Sequence, residues 1–410
     1  MRDMRIGAAL LVFAGALLAQ PTAVLAQSGA VSCRNNAGSF ERWLEAFKQE
    51  ATAEGVSLGT LAAASPYLVY DQSIVNKDRG QRVFAQTFLE FSGRMVAAYR
   101  LERGAKLIQT HAATFRRIDQ QYGVPAAPIV AFWGLETDFG ANIGNLPTLR
   151  SLVSLAYDCR RPALFRKQLL AALKIIQRGD LSAEQMIGPW AGELGQLQFL
   201  PAHYLDYAVD FDGDGRRDLL KSTPDALASA GNYLAQIGWR RGEPWLTEVR
   251  VPGNLRWDQA DLAIQLPRSQ WAQWGVTLAD GRSLSADQLP ASLLLPMGRF
   301  GPAFLAYNNF KTFLEWNQSL VYSTTAAYYA TRLAGAPAMS KGSGAIPQIG
   351  FEQVRELQTL LLRAGYKIGE ADGKLGLNTR AAIKQAQLKY GLPADSYPSV
   401  ELIERMRAGR

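Results

Sequence analysis

From Gly38 to Gly123 apolar side chains return every three or four residues, the spacing of helices that pack on one face. Phe40, Trp43, Leu44 and Phe47 mark one stripe, and Val83, Phe84, Phe88 and Phe91 belong to another; these aromatics read as core. A stripe of Ile129, Val130, Phe132 and Trp133 predicts a further helix, with Pro125 in its first turn and Gly140 as its stop. A Gly-rich loop continues through Gly144. Helices are then expected around Leu149 to Tyr157 and from about Ala163 to Arg178, the second ended by Gly179-Asp180. Between Trp245 and Phe310 the rhythm changes. Short runs such as Thr247-Glu248-Val249-Arg250-Val251 alternate like strands, broken by Pro and Gly. A helical pattern resumes across Tyr322 to Leu333.

Lys341-Gly342-Ser343-Gly344 reads as a flexible linker by composition, covering about 341–350. Beyond it, 351–408 predicts a small three-helix domain. Its stripes are Phe351, Val354, Leu357 and Leu361; Ala382, Ile383, Ala386 and Tyr390, closed by Gly391; and Val400, Ile403 and Met406. A core this thin suits binding better than chemistry. The class expected is mainly α (α+β), with a β-rich subdomain at about 245–310 inside a main region of 33–340.

Residues 1–26 read as a secretion signal: Arg2 and Arg5, an apolar run from Ile6 to Ala19, then Val24-Leu25-Ala26 as a cleavage site. That run is too short to favour a spanning helix, and no later segment is long and apolar enough, so no transmembrane segment is expected. The formal net charge of +8 suits an anionic partner such as a cell wall or membrane surface. Nucleic acid is excluded by that compartment and by the lack of a basic run interleaved with aromatics. In an oxidising compartment Cys33 and Cys159 read as one disulfide. The competing reading takes Ala30-Val31-Ser32-Cys33 as a lipoprotein cleavage site for an outer-membrane anchor. It lies well beyond the apolar run and leaves Cys159 unpaired, so the disulfide is preferred.

Three stretches carry chemistry. In Trp133-Gly134-Leu135-Glu136-Thr137-Asp138-Phe139-Gly140, Glu136 follows Phe132 by four residues and Trp133 by three, which sets it beside both rings. Apolar neighbours and the negative end of the helix dipole both keep such a carboxyl protonated, as a general acid for glycosidic cleavage must be. The plain alternative is a solvated surface Glu. The stretch from Trp190 to Pro201 combines glycines, Gln196, Gln198 and rings that suit a sugar, against the plainer reading of a Gly-rich turn. The third stretch runs from Asp210 to Asp218. Asp210, Asp212, Asp214 and Asp218, with Gly215 at the sixth position and the Arg216 carbonyl, match an EF-hand loop; Lys221 holds the twelfth position, so Asp225 is expected to substitute. A structural Ca2+ or Na+ would pin the segment after the Gln-rich stretch. His111 and His203 have no partners that suggest a zinc site or a catalytic triad and read as structural.

Together these stretches resemble the membrane-bound lytic murein transglycosylase B family, glycoside hydrolase family 103. The likeness runs through the Glu136 helix, Tyr157-Asp158-Cys159-Arg160-Arg161-Pro162, the Gly/Gln stretch, the Asp loop, Asn232-Tyr233-Leu234 and Trp316-Asn317. The tail resembles a peptidoglycan-binding domain through Leu357-Gln358, Gly365-Tyr366, Asp372-Gly373, Gly376, Thr379 and Gly391-Leu392. The resemblance implies a lysozyme-like fold in a periplasmic monomer that acts on peptidoglycan glycan strands without a catalytic cofactor. The bond cut would be the β-1,4 link between N-acetylmuramic acid and N-acetylglucosamine, leaving a 1,6-anhydro end. Glu136 would serve as acid and then base; the substrate's N-acetyl group makes a carboxylate nucleophile unnecessary. Arg160 and Arg161 match residues lining the cleft, Gln198 and Phe199 residues at the scissile sugars, Tyr233 one near the acid, and Asn317 and Tyr322 the facing wall.

Three positions depart from the family pattern. Pro189 stands where some members carry a sugar-contacting serine, Trp316 replaces a frequent tyrosine, and Ala386 stands where the binding domain often has Phe. A hydrolytic muramidase would need Glu193 or Asp138 as a second carboxylate. A non-catalytic wall-binding scaffold is the other rival.

Overall fold

A computed structural model of the protein describes residues 31–80 and 86–409. The secretion-signal reading and the Val83–Phe84 part of one stripe lie outside these residues. Among the described residues no helix is long and apolar enough to cross a membrane.

The helices start where short polar side chains can take up a free backbone N–H. Ser39 caps Phe40–Ala53 by accepting from Arg42, and Thr87 forms a reciprocal capping box with Glu90 ahead of Phe88–Met95. Trp43 and Phe47 then stack at 5.7 Å, four residues apart on one buried face. A disulfide joins Cys33 to Cys159 across 126 positions, so the thiol that a lipoprotein reading needs is already used.

Ala126–Thr137 is the central helix. From Ala127 to Thr137 every residue except Glu136 is buried, as expected of a helix apolar on all sides. Helices Ala98–Thr110 and Leu320–Leu333 pack against it. Two details differ from the sequence expectation. Pro125 is the cap and not a first-turn residue, and the helix stops ahead of Gly140 because Asp138 and Phe139 already have positive φ, 52° and 62°. A left-handed non-glycine residue costs about 1 kcal/mol or more. Here Arg100 holds the Asp138 carboxylate at 3.2 Å, and the Arg103 guanidinium lies 5.1 Å from the centre of the Phe139 ring.

Seven strands occur among the described residues. β1 (Leu146–Pro147) pairs with β2 (Ile187–Gly188) beside the central helix's exit loop. The other five are β3 (Leu246–Arg250), β4 (Leu266–Pro267), β5 (Thr277–Leu278), β6 (Pro290–Leu294) and β7 (Ala303–Ala306). They form one antiparallel sheet in the order β4-β6-β7-β3-β5. Alternation sorts its faces. Leu246, Leu294, Phe304 and Ala306 join the main core, while Val249, Leu293, Ala303 and Leu305 build a second core with Trp271. The sheet is thus packed onto the helical body. The chain is mainly helical with this small sheet, in keeping with the class expected.

The tail forms three helices, Phe351–Arg363, Leu377–Lys389 and Val400–Ala408, around Leu357, Leu361, Ile383 and Leu402. Phe351 and Val400, expected in the stripes, are both 45% exposed, because each opens its helix beyond the reach of the small core. The linker is a correction to its composition. Ser343 N–H donates to the Phe300 carbonyl at 2.9 Å, and a Cβ on Gly342 (φ 107°) would lie 2.1 Å from that oxygen. The segment is seated against the body. So is the domain that follows: Arg380 donates to the carbonyls of Leu295 and Pro296, and Lys384, 3% exposed, pairs with Asp261 at 2.9 Å.

Candidate active site

Glu136 stands on the last turn of the central helix, the one side chain between Ala127 and Thr137 that is left partly open. Two groups from far along the chain reach it. Trp316, ending the helix Phe310–Trp316, donates its Nε1–H to Glu136 Oε1 at 3.0 Å, and the Tyr322 hydroxyl donates to the same oxygen. Trp316 is held in turn by a stack on Phe132 at 4.1 Å and by edge contact with Phe199 at 5.5 Å. Burial pushes the Glu136 carboxyl up to about 7, against the opposing pull of the Tyr322 and Trp316 hydrogen bonds, and the Glu193 charge adds to the rise. Both donors sit on Oε1. The proton is therefore left to Oε2.

The Gly/Gln stretch closes beneath this carboxyl. Thr137 hydroxyl donates to the Gln196 carbonyl at 2.5 Å, and Gln196 N–H donates to Leu219 O at 2.9 Å, which staples the helix end to the stretch. Gly195 is required: with φ 81°, a Cβ there would sit 2.6 Å from the Leu219 carbonyl oxygen. Gln198, at φ 52°, turns its amide N–H to Gly195 O at 2.9 Å. Phe199 and Tyr233 are buried and meet edge-on at 5.6 Å, so they form the layer behind Trp316 and offer no open face to a sugar. Burial pushes the Tyr233 hydroxyl up to about 12. Asn317 Oδ1 accepts from Ser319 N–H at 2.9 Å and fixes the turn that delivers Tyr322.

Arg160 and Arg161 share one acid. Arg160 Nη1 lies 2.8 Å from Asp78 Oδ2 and Arg161 Nη2 lies 2.5 Å from Asp78 Oδ1, with Asp78 buried and both arginines largely exposed. Asp78 had no signal in the sequence, being one of several charges in a short helix. Glu193 was legible only as a possible second carboxylate. It is pushed up by burial, opposed by the charge of Arg161, and its Oε2 has no hydrogen-bond partner. Asp138, the other candidate, is committed to Arg100 and Arg103. Trp133 packs edge-on against Phe139 and His111, so the ring that meets Glu136 directly is Trp316.

In the acidic loop, carboxylate oxygens of Asp210, Asp212 and Asp214 lie within 4.8 Å of one another. That span is about twice a calcium–oxygen bond, so the three can face one cation. Asp218 and Asp225 fall outside this group. Asp218 accepts from the N–H groups of Leu220 and Lys221, and Asp225 accepts from Phe211, Asp212 and Asp218. Asp225 thus shapes the loop backbone from outside the three-carboxylate group. The Arg216 guanidinium leaves the loop to reach the Asp180 carbonyl at 3.0 Å.

A family model described as a transglycosylase SLT domain matches residues 39–331, which include every side chain of the Glu136 site. The chain belongs to the transglycosylase SLT-domain family. A second model, a putative peptidoglycan binding domain, matches residues 352–406 of this SLT-domain protein. Membrane-bound lytic murein transglycosylase B of Escherichia coli (strain K12) is 28% identical over 239 residues, covering 58% of this chain and 64% of that relative; the match spans just under two thirds of the relative's length. The solved SltB3 of Pseudomonas aeruginosa, in complex with NAG-anhNAM-pentapeptide, is 40% identical with a TM-score of 0.83 over 90% of this chain and 100% of its own. SltB1 of the same organism is 26% identical with a TM-score of 0.62, covering 71% of this chain and 98% of its own.

Proposed function

We propose that this SLT-domain protein is a periplasmic lytic transglycosylase of peptidoglycan that cuts between N-acetylmuramic acid and N-acetylglucosamine without water. The observation that carries the reading is the half-buried Glu136 carboxyl, raised to about 7, with Oε1 held by two donors and Oε2 free to carry the proton. Oε2–H protonates the glycosidic oxygen as that oxygen leaves C1. The carboxylate so formed takes the proton of the muramoyl 6-hydroxyl while the 6-oxygen closes on C1, giving the 1,6-anhydro end and restoring the acid. The substrate's own N-acetyl group stabilises the positive centre between these steps, so one carboxyl suffices.

Three further observations support it. Asp138, a candidate for activating water in a muramidase, is engaged by Arg100 and Arg103. The SltB3 relative is described with an anhydro-muropeptide bound. A disulfide suits the oxidising space in which murein lies. In this reading Arg160 and Arg161 meet substrate carboxylates, Gln198 and Asn317 border the scissile sugars, and Phe199 and Tyr233 act by supporting Trp316. The Asp210–Asp212–Asp214 loop holds a structural Ca2+ or Na+ that supplies charge neutralisation and no chemistry. Mass spectrometry of digested murein tests the proposal: anhydro ends are expected, and reducing ends one water heavier would mean hydrolysis instead.

A further inference from the structure

We infer that Arg100 is a positioning residue for the acid: together with Tyr329 it sets the register in which Tyr322 meets Glu136. The inference deepens the reading of Glu136 given above and rests on it. Arg100 lies on the helix Ala98–Thr110 and is held through both its side chain and its backbone. The guanidinium donates to Asp138 at 3.2 Å, two residues past Glu136, and to the Met95 carbonyl at 3.0 Å. The Arg100 carbonyl accepts from the Tyr329 hydroxyl at 2.7 Å. Tyr329 and Tyr322 share the helix Leu320–Leu333 and stand about two turns apart, so they project from one face. The contacts therefore close a ring. It runs from Glu136 to Tyr322, along that helix to Tyr329, across to Arg100, and back through Asp138.

The chain leaving Glu136 needs this support. Asp138 and Phe139 adopt φ of 52° and 62°, a left-handed conformation that side chains disfavour. Arg103 also reaches Asp138, at 3.7 Å, but it is 46% exposed against 15% for Arg100. An exposed pair contributes little, so the hold on Asp138 falls to Arg100.

Tyr329 is seated as closely. It is fully buried, and glycines on two helices make room for it. A Cβ on Gly134 would lie 3.0 Å from its ring, and one on Gly104 would lie 3.1 Å from its hydroxyl. Packing this close leaves the Leu320–Leu333 helix little freedom to slide, and Tyr322 is carried on it. Burial, the Tyr322 and Trp316 hydrogen bonds and the charge of Glu193, from the Gly/Gln stretch, govern the Glu136 carboxyl. Arg100 thus reaches that carboxyl through position and not through its own charge.

The test breaks the ring at two points in the full chain, with Arg100→Ala and, without any change of charge, Tyr329→Phe. Each is expected to lower kcat on murein about tenfold while KM stays the same, as a displaced catalytic group does. Each should also move the alkaline limb of the pH–rate profile upward, because a weakened Tyr322 bond favours the ionised carboxyl less. Combined with Tyr322→Phe, neither should cost more than Tyr322→Phe alone. Losses that multiply with Tyr322→Phe, or a limb that neither variant moves, overturn the inference and leave both residues to stabilise the fold. NMR titration of the isotope-labelled Glu136 carboxyl, assigned with Glu136→Gln, reads the same register without cleavage. An upward shift in both variants of a protein that cuts no murein would keep the positioning and remove only the catalytic reading; no shift in either overturns the positioning.

Discussion

Trp316 Nε1 lies 3.0 Å from Oε1 of Glu136, a residue 180 positions earlier, and the Tyr322 hydroxyl donates to the same atom. Both bonds favour the ionised carboxylate, so they restrain the rise that burial imposes. Tyr322→Phe should therefore move the alkaline limb of the pH–rate profile upward. The turnover should fall about 10- to 100-fold at the optimum, since a hydrogen bond to a charged group contributes roughly 1.5–3 kcal/mol. A profile that keeps its limb while the rate falls would mean that Tyr322 acts only by packing.

Glu136 itself links activity to stability. Its folded pKa of about 7 lies above the value of 4.5 expected of an exposed Glu. Below pH 4.5 both states are protonated and nothing is lost. Between 4.5 and 7 the unfolded chain ionises first, and the fold loses on the order of 3 kcal/mol by neutral pH. Glu136→Gln removes this loss. The variant should cut no murein, and its melting temperature relative to the parent should be higher at pH 8 than at pH 4. Parallel melting curves across that range would contradict the assignment.

How much of this was readable beforehand depends on the range of the interaction. The Glu136 helix, the sheet between Trp245 and Phe310 and the three tail helices follow from local periodicity, and that part was legible. What escaped was long-range. Asp78 meets Arg160 and Arg161 from a separate helix, and nothing in its own neighbourhood marks it. The linker looked loose because Gly and Ser have no apolar side chains, yet Gly342 is close-packed on Phe300 through its backbone. Asp225 was placed near the acidic loop by spacing, but its role depends on which N–H groups the fold aims at it.

The disulfide gives an independent handle on the Arg160–Arg161 wall. Cys159 immediately precedes Arg160, and closing a loop of 126 positions restricts the unfolded chain by about 4–5 kcal/mol in the chain-entropy view. Reduction, or Cys33→Ser with Cys159→Ser, should lower the melting temperature by several degrees. Arg34 N–H still donates to the Tyr157 carbonyl at 2.8 Å, so the N-terminal strap should stay in place and cleavage at 25 °C should persist. Loss of cleavage in a folded double variant would assign the bridge a role in the site.

The acidic loop separates two sources of order that a single melting curve would merge. Asp210, Asp212 and Asp214 place three carboxylates around one point, and without a cation they repel one another. Asp225 differs in reach: from outside the trio its two oxygens accept the N–H groups of Phe211, Asp212 and Asp218, so it ties both ends of the loop together whatever ion is present. Chelation should lower the melting temperature, and added Ca2+ or Na+ should restore it in proportion to RT ln(1 + [L]/Kd). Asp212→Asn should abolish that ion response. Asp225→Ala should destabilise by roughly 3 kcal/mol or more with or without ion, because it leaves buried donors unpaired. If neither chelator nor added Ca2+ or Na+ moves the melting curve while Asp225→Ala lowers it, the loop is a hydrogen-bonded turn and holds no ion. If cleavage then falls together with stability, the path runs through Gln196, whose N–H donates to Leu219 just past the loop and whose carbonyl holds Thr137 beside Glu136.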